Sequence, residues 1–204
     1  MRRLRIVIFA KAPLPGMAKT RLIPALGEQG SARLAQRMLR HAVDESLAAA
    51  IGDVELCVTP QPDAPPWRPW RDRGWPVDWQ WQGEGDLGAR LDRAARRVLS
   101  AHDAVLLIGT DCPGLTRHHL QLAARQLMTH EAVIIPSTDG GYVLLGLVRH
   151  HPHIFEEIPW STNRVCAETL ARIGTLGWTV AQLAALSDID EPADLAAVPP
   201  GWLA

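Results

Sequence analysis

Short apolar runs alternate with longer segments of helical spacing through the whole chain, and that alternation leaves few folds open. Residues 4–10 form a nearly continuous, β-branched apolar run, the pattern of a strand buried on both faces. Over residues 28–50 the apolar side chains Ala32, Leu34, Ala35, Met38, Leu39, Ala42, Val43 and Leu47 recur at helical spacing, predicting a long crossover helix. Further strands are expected at 54–58, 77–81, 104–109, 132–136, 141–148 and 178–183. Helices are expected over 87–98, 115–128 and 163–173, with a short terminal one opening at Glu191-Pro192. Strands joined by helices build βαβ units. The expected fold is therefore α/β, with a mainly parallel sheet. At 204 residues such a chain buries enough surface for one full core, so residues 1–204 are read as a single domain without linker, repeat or low-complexity tail.

Charge and cysteine usage narrow the function. Lys and Arg total 21 against 22 Asp and Glu, so no broad basic field exists to wrap a nucleic acid or an anionic membrane. Cys57, Cys112 and Cys166 are odd in number and lack a C-x-x-C pair, which fits reduced thiols and a cytoplasmic protein. Arg2, Arg3 and Arg5 flank the first apolar run, but that run is too short for a signal-peptide core, and no membrane span is expected. No paired histidine motif suggests zinc, and no G-x-S-x-G elbow suggests a serine hydrolase.

In a parallel sheet the ligand crevice lies beyond the carboxyl ends of the strands, so the residues that follow each strand matter most. After the first comes a loop with Lys11, Gly16, Lys19 and Arg21, stiffened by Pro13 and Pro15. Mobile lysine charge, a planar arginine fork and a permissive glycine suit a polyphosphate. It is not a Walker A loop, because Gly16 does not adjoin Lys19. After the strand at 104–109 comes Asp111, a carboxylate at a buried strand mouth, for which a hard cation such as Mg²⁺ is a natural partner. Thr116 is the better cap for the next helix, and Cys112 reads as a small filler. Asp188 and Asp190, one residue apart, share a side if the segment is extended, and either would complete a cation site with Asp111.

Two glycine-bearing loops remain. Gly83, Gly85, Asp86 and Gly88 precede a helix, where a flat base or sugar can approach the backbone. Asp139-Gly140-Gly141 is a turn signal that could by itself explain Asp139. Arg90, Arg93 and Arg97 are read as a solvated helix face. Eight of the eleven aromatics are Trp, and five of them (Trp67, Trp70, Trp75, Trp79, Trp81) crowd the one irregular stretch. Packing is the favoured reading for that stretch, and an apolar wall beside a nucleotide pocket is the sharper one.

Taken in order, the first loop, Gly85-Asp86-Leu87-Gly88, Ile108-Gly109-Thr110-Asp111-Cys112-Pro113, Asp139-Gly140-Gly141-Tyr142, Trp160-Ser161-Thr162 and Asp188-Ile189-Asp190 resemble a bacterial family. It is the glycosyltransferase-like, radical-SAM/selenodomain-associated transferase family of the nucleotide-diphospho-sugar transferase superfamily. Lys19-Thr20-Arg21-Leu22 is also similar to the Lys-Ser-Arg-Leu of phospholactate guanylyltransferases. The resemblance implies a single-domain, Rossmann-like, three-layer α/β/α sandwich of the GT-A type and a site dependent on Mg²⁺ or Mn²⁺.

By the same resemblance Lys19 and Arg21 would hold phosphates, with Lys11 and Gly16 beside them. Asp111 would be the main metal ligand, with Asp188 or Asp190 completing the site. Gly85, Asp86 and Gly88 would approach the base. Asp139, Gly140, Gly141, Trp160, Ser161 and Thr162 would line the acceptor side. The implied partners are a nucleoside triphosphate or nucleotide sugar and a small-molecule acceptor. Lys19, Arg21 and Asp111 would be catalytic. The expected reaction is nucleotidyl transfer to an acidic or phosphorylated acceptor with release of pyrophosphate. The alternatives are glycosyl transfer from a nucleotide sugar and a non-catalytic nucleotide-binding protein. Asp111 lacks the Asp-x-Asp partner of many glycosyltransferases, which sets sugar transfer second.

Overall fold

The computed structural model describes residues 3–203; Met1, Arg2 and Ala204 lie outside it. Seven strands join one sheet: β1 (Leu4–Lys11), β2 (Asp53–Thr59), β3 (Asp78–Trp81), β4 (Ala104–Ile108), β5 (Ala132–Pro136), β6 (Tyr142–Leu147) and β7 (Val180–Gln182). Their order is β3-β2-β1-β4-β6-β5-β7, all parallel except β6, which runs antiparallel between β4 and β5. The helices are α1 (Ile23–Ala49), α2 (Arg68–Arg71), α3 (Leu87–Leu99), α4 (Arg117–Gln126) and α5 (Val165–Thr175).

Alternation along each buried strand divides the core between two faces. Ile6 and Ile8 of β1 face one side with Leu39 and Val43 of α1, Trp67 and Trp70 around α2, and Leu120 and Leu127 by α4. Val7 faces the other side with Leu91, Ala95 and Val98 of α3 and Ile173 of α5. The result is the expected three-layer α/β/α sandwich. Gly27 has a non-helical conformation inside α1 (φ 69°, ψ 169°), so regular helix resumes at Glu28, where the apolar periodicity begins.

The arginine face of α3 is not solvated, contrary to expectation. Arg97 grips the carboxylate of Glu55, which is 1 % exposed in β2, with contacts of 2.9 and 2.5 Å. Arg5 of β1 joins Glu55 at 3.2 Å and Asp78 of β3 at 2.8 Å. A buried carboxylate such as Glu55 persists when it is paired, and here two arginines on it tie three strands to one helix, although Arg5 Nε itself is buried without a partner. Four tryptophans of the irregular stretch, Trp67, Trp70, Trp75 and Trp79, pack on the core, while Trp81 is exposed. Trp67 is fully buried, donates its ring N–H to Pro60 O at 3.0 Å and meets Trp79 edge-on at 5.7 Å.

Candidate functional site

From β1 the chain builds β2 and β3 on one side before crossing to β4 on the other, so the strand ends diverge between β1 and β4. A crevice opens at such a switch point. It holds a cavity of about 610 Å³, lined by the first loop, the end of β4, the β5–β6 turn, the segment before α5 and the stretch after β7.

Lys19 lines it with a largely buried side chain. The side chain is 8 % exposed, and Nζ lies 2.8 Å from Asp111 Oδ1, 2.7 Å from Asp190 Oδ1 and 2.5 Å from Ile189 O. Burial alone depresses a lysine pKa, but the two carboxylates outweigh it and hold Lys19 above its usual value. It is a permanent cation. Its backbone is left-handed (φ 49°, ψ 46°), an uncommon conformation for a side chain branching from an L-residue, which these contacts help to hold.

The segment after β7 is extended, so Asp188 and Asp190 both line the cavity while Ile189 between them is buried in a cluster with Leu22, Leu34 and Met38. The Ile189 N–H donates to Asp111 O at 2.8 Å, locking this segment to the end of β4. Asp188 is raised to about 6 by burial first and then by the like charges of Asp139, Asp190 and Asp111. Four carboxylates thus line one cavity, and two of them hold Lys19. This surplus of hard oxygen donors fits a hard divalent cation. Among the described residues no three acidic, histidine or cysteine groups converge tightly enough to hold a metal unaided.

The other expected residues divide. Lys11 and Arg21 line the cavity as exposed cations, and Arg21 makes only a loose 3.8 Å contact with Glu191. Asp139, Gly141, Trp160, Ser161 and Thr162 line it too. Asp139 Oδ1 accepts from Ser137 Oγ and from the Gly141 N–H at 2.9 Å, so that oxygen is committed to the turn. Gly140, Gly16, Gly85, Asp86 and Gly88 lie outside the lining. Gly140 (φ 94°) packs on the backbone of Asn163, where a Cβ would come within 2.2 Å of its carbonyl oxygen. Asp86 caps α3, accepting from the Ala89 N–H at 2.9 Å. Gly88 makes room for Trp160, since a Cβ there would sit 2.7 Å from the indole nitrogen.

Gln82 and Arg90 are among the lining residues that were not expected there. Gln82 follows β3 directly and is buried. Its amide donates to Cys57 O at 2.9 Å and Ala10 O at 3.2 Å, and its oxygen accepts from Arg90 at 3.1 Å. Arg90 is anchored further by Gly85 O at 2.9 Å and faces the cavity. The question put to the other strand ends would have found Gln82. None of the five clustered tryptophans lines the cavity, which removes the wall reading, and Trp160 alone does among the described tryptophans.

Comparison with known proteins places these features in a lineage. A crystal structure from Desulfovibrio desulfuricans G20, provisionally described as a nucleotide-diphospho-sugar transferase, is 29 % identical and superposes with a TM-score of 0.84 over 94 % of this chain and 84 % of that one. A nucleotidyl transferase from Methanothermobacter is 14 % identical, with a TM-score of 0.63 over 98 % of both chains. A CMP:2-keto-3-deoxy-manno-octonic acid synthetase complexed with CTP is 14 % identical, with a TM-score of 0.59 over 96 % of both. The last two share the fold. No curated protein matches the chain. The model of a family described as uncharacterized protein conserved in bacteria, DUF2064, matches residues 42–162, and this protein belongs to that family.

Proposed function

We propose that the protein is a metal-dependent nucleotidyltransferase acting on a nucleoside triphosphate and an acidic or phosphorylated acceptor. An acceptor oxygen attacks the α-phosphorus, the bond from that phosphorus to the bridging oxygen breaks, and its electron pair leaves with pyrophosphate. The observation that carries this reading is the buried Lys19, held against Asp111 and Asp190 in a 610 Å³ crevice at the β1/β4 switch point. Lys11 and Arg21 would supply positive charge to the polyphosphate, joined by Lys19 when its ammonium turns to the phosphates, and cations so placed stabilise the charge that builds on the leaving group. Asp111 and Asp188 would hold Mg²⁺ or Mn²⁺, which would neutralise phosphate oxygens at the reacting centre. Asp188 is preferred to Asp190 as the second ligand because it lines the cavity without an ion pair to Lys19, which already takes one oxygen from each of Asp111 and Asp190. Asp139, Gly141, Trp160, Ser161 and Thr162 form the acceptor side, and an anionic acceptor needs no general base.

The 29 % identity to a nucleotide-diphospho-sugar transferase favours glycosyl transfer as the second reading. Both readings make the protein a transferase. Three buried, unpaired cysteines support the cytoplasm as its location; among the described residues no helix is long and apolar enough to cross a membrane. Incubation of each triphosphate with phosphorylated and carboxylic acceptors, assayed for pyrophosphate, tests the first reading. Cation-dependent pyrophosphate release is expected. Release of a nucleoside diphosphate from a nucleotide sugar, with no pyrophosphate from any triphosphate, would replace it with glycosyl transfer.

A further inference from the structure

Asp111 and Asp190 share a single positive charge, and it belongs to the protein. Lys19 Nζ lies within 2.8 Å of both carboxylates and takes Ile189 O as a third acceptor, so all three ammonium protons have partners inside the cluster. In this state Lys19 offers nothing to a phosphate, and its charge, seated on Oδ1 of both Asp111 and Asp190, repels a cation that approaches either carboxylate. An ammonium and a divalent ion cannot share the same carboxylate oxygens at these distances, because their repulsion at a half-buried site is poorly screened.

We propose that Lys19 is a positioning residue that exchanges partners. It occupies Asp111 and Asp190 until a polyphosphate draws its ammonium away, and only then does Asp111 become available to a divalent cation. This rests on the reading of the cavity as a metal–polyphosphate site. The parts for the exchange are present. Lys11 and Arg21 are exposed on the same wall and can receive the polyphosphate first. The lysine stem is flexible, and next to it the loop carries Met17, 51 % exposed, after the positive-φ Gly16. Before a polyphosphate brings its own oxygens, Asp188 offers the cation a single carboxylate and water. Cation and polyphosphate then strengthen each other's binding, and by linkage the effect is reciprocal.

Nucleotide-free protein titrated with Mn²⁺, with the unbound ion followed by its electron paramagnetic resonance signal, tests the exchange without turnover. Wild type is expected to bind weakly, Lys19→Met at least tenfold more tightly, and Lys19→Met combined with Asp111→Asn no better than wild type. Loss of any nearby cation would also tighten Mn²⁺ binding, so the deciding readout is coupling: a non-hydrolysable triphosphate analogue should tighten Mn²⁺ binding more in wild type than in Lys19→Met, where no ammonium remains to be drawn away, and equal coupling in the two would overturn the exchange. Lys19→Gln, a second uncharged replacement, decides the matter if the Met variant does not fold. Equal Mn²⁺ affinity in wild type and folded Lys19 variants would overturn the exchange. If wild type nevertheless releases pyrophosphate from a triphosphate, the proposed function stands while the exchange falls. A gain in the variants with no triphosphate chemistry in wild type would sink the function and leave the exchange.

Discussion

At Lys19 burial and charge oppose each other, and charge wins because two carboxylates and a carbonyl surround one ammonium. At Asp188 the same two effects act in one direction, and its carboxyl is raised to about 6. Folding therefore favours the protonated form of Asp188. The stability from this group is fully present below its unfolded value and is lost as pH rises through about 6. With chelator present, Asp188→Asn should raise the unfolding free energy at neutral pH by on the order of 1 kcal/mol after allowance for solvent screening. The gain should vanish near pH 4, well below the folded value; urea melts at both pH values check this, and a loss at neutral pH would contradict it. Trp160→Phe should remove the quenching of tryptophan fluorescence by a bound substrate, whereas Trp81→Phe should keep it, since only Trp160 lines the cavity. The carboxylates were legible as residues at strand ends. Their capture by Lys19 was not, because Lys19 and Asp190 lie 171 positions apart and nothing local records the contact.

At the scale of elements, the continuous apolar strands and periodic helices could be read with ends a few residues off, since burial on both sheet faces writes an unbroken hydrophobic run. The insertion of β6 antiparallel between β4 and β5 could not. Its sequence shows only that a hairpin turn precedes it, not which neighbour it pairs with next. The arginines of α3 misled for a related reason: their spacing marks a face, but Arg97 pairs with Glu55 in a distant strand, while Arg90 and Arg93 bond Gln82 and the loop carbonyls before the helix. A different long-range pair joins α1 to the start of α4. Glu45 accepts from the Arg117 N–H at 2.6 Å and from its guanidinium at 2.7 Å. Hydrogen bonds from Arg117 hold the Glu45 carboxyl below its usual value. Stability from a depressed carboxyl is present above the unfolded pKa and lost as pH falls through the folded one. Glu45→Gln should therefore cost about 1–2 kcal/mol at neutral pH, with the difference shrinking below about pH 4. Denaturant unfolding at the two pH values decides it; a cost independent of pH would show that packing, not charge, matters there.

For the molecule as a whole, net charge misdescribes the surface that matters. Near neutrality conceals cations after β1 and acids after β4, β5 and β7, and the topology gathers them at one switch point. Strand order is what brings them together, and strand order was inferred only as far as the βαβ rhythm allowed. Gly85, Asp86 and Gly88 stood out in sequence for their likeness to a ligand loop, yet they shape α3 and seat Trp160 from outside the cavity. The central claim is that this crevice binds a triphosphate together with a divalent cation through Asp111. Thermal unfolding measured with each nucleoside triphosphate, with and without Mg²⁺, tests it on wild type and Asp111→Asn. At a ligand concentration about 100-fold above Kd, stabilisation of about 2.7 kcal/mol is expected for wild type with at least one triphosphate and Mg²⁺. That shift should collapse with chelator and in a folded Asp111→Asn variant. A wild-type shift unchanged by chelator and by Asp111→Asn, or no shift with any triphosphate, would contradict it.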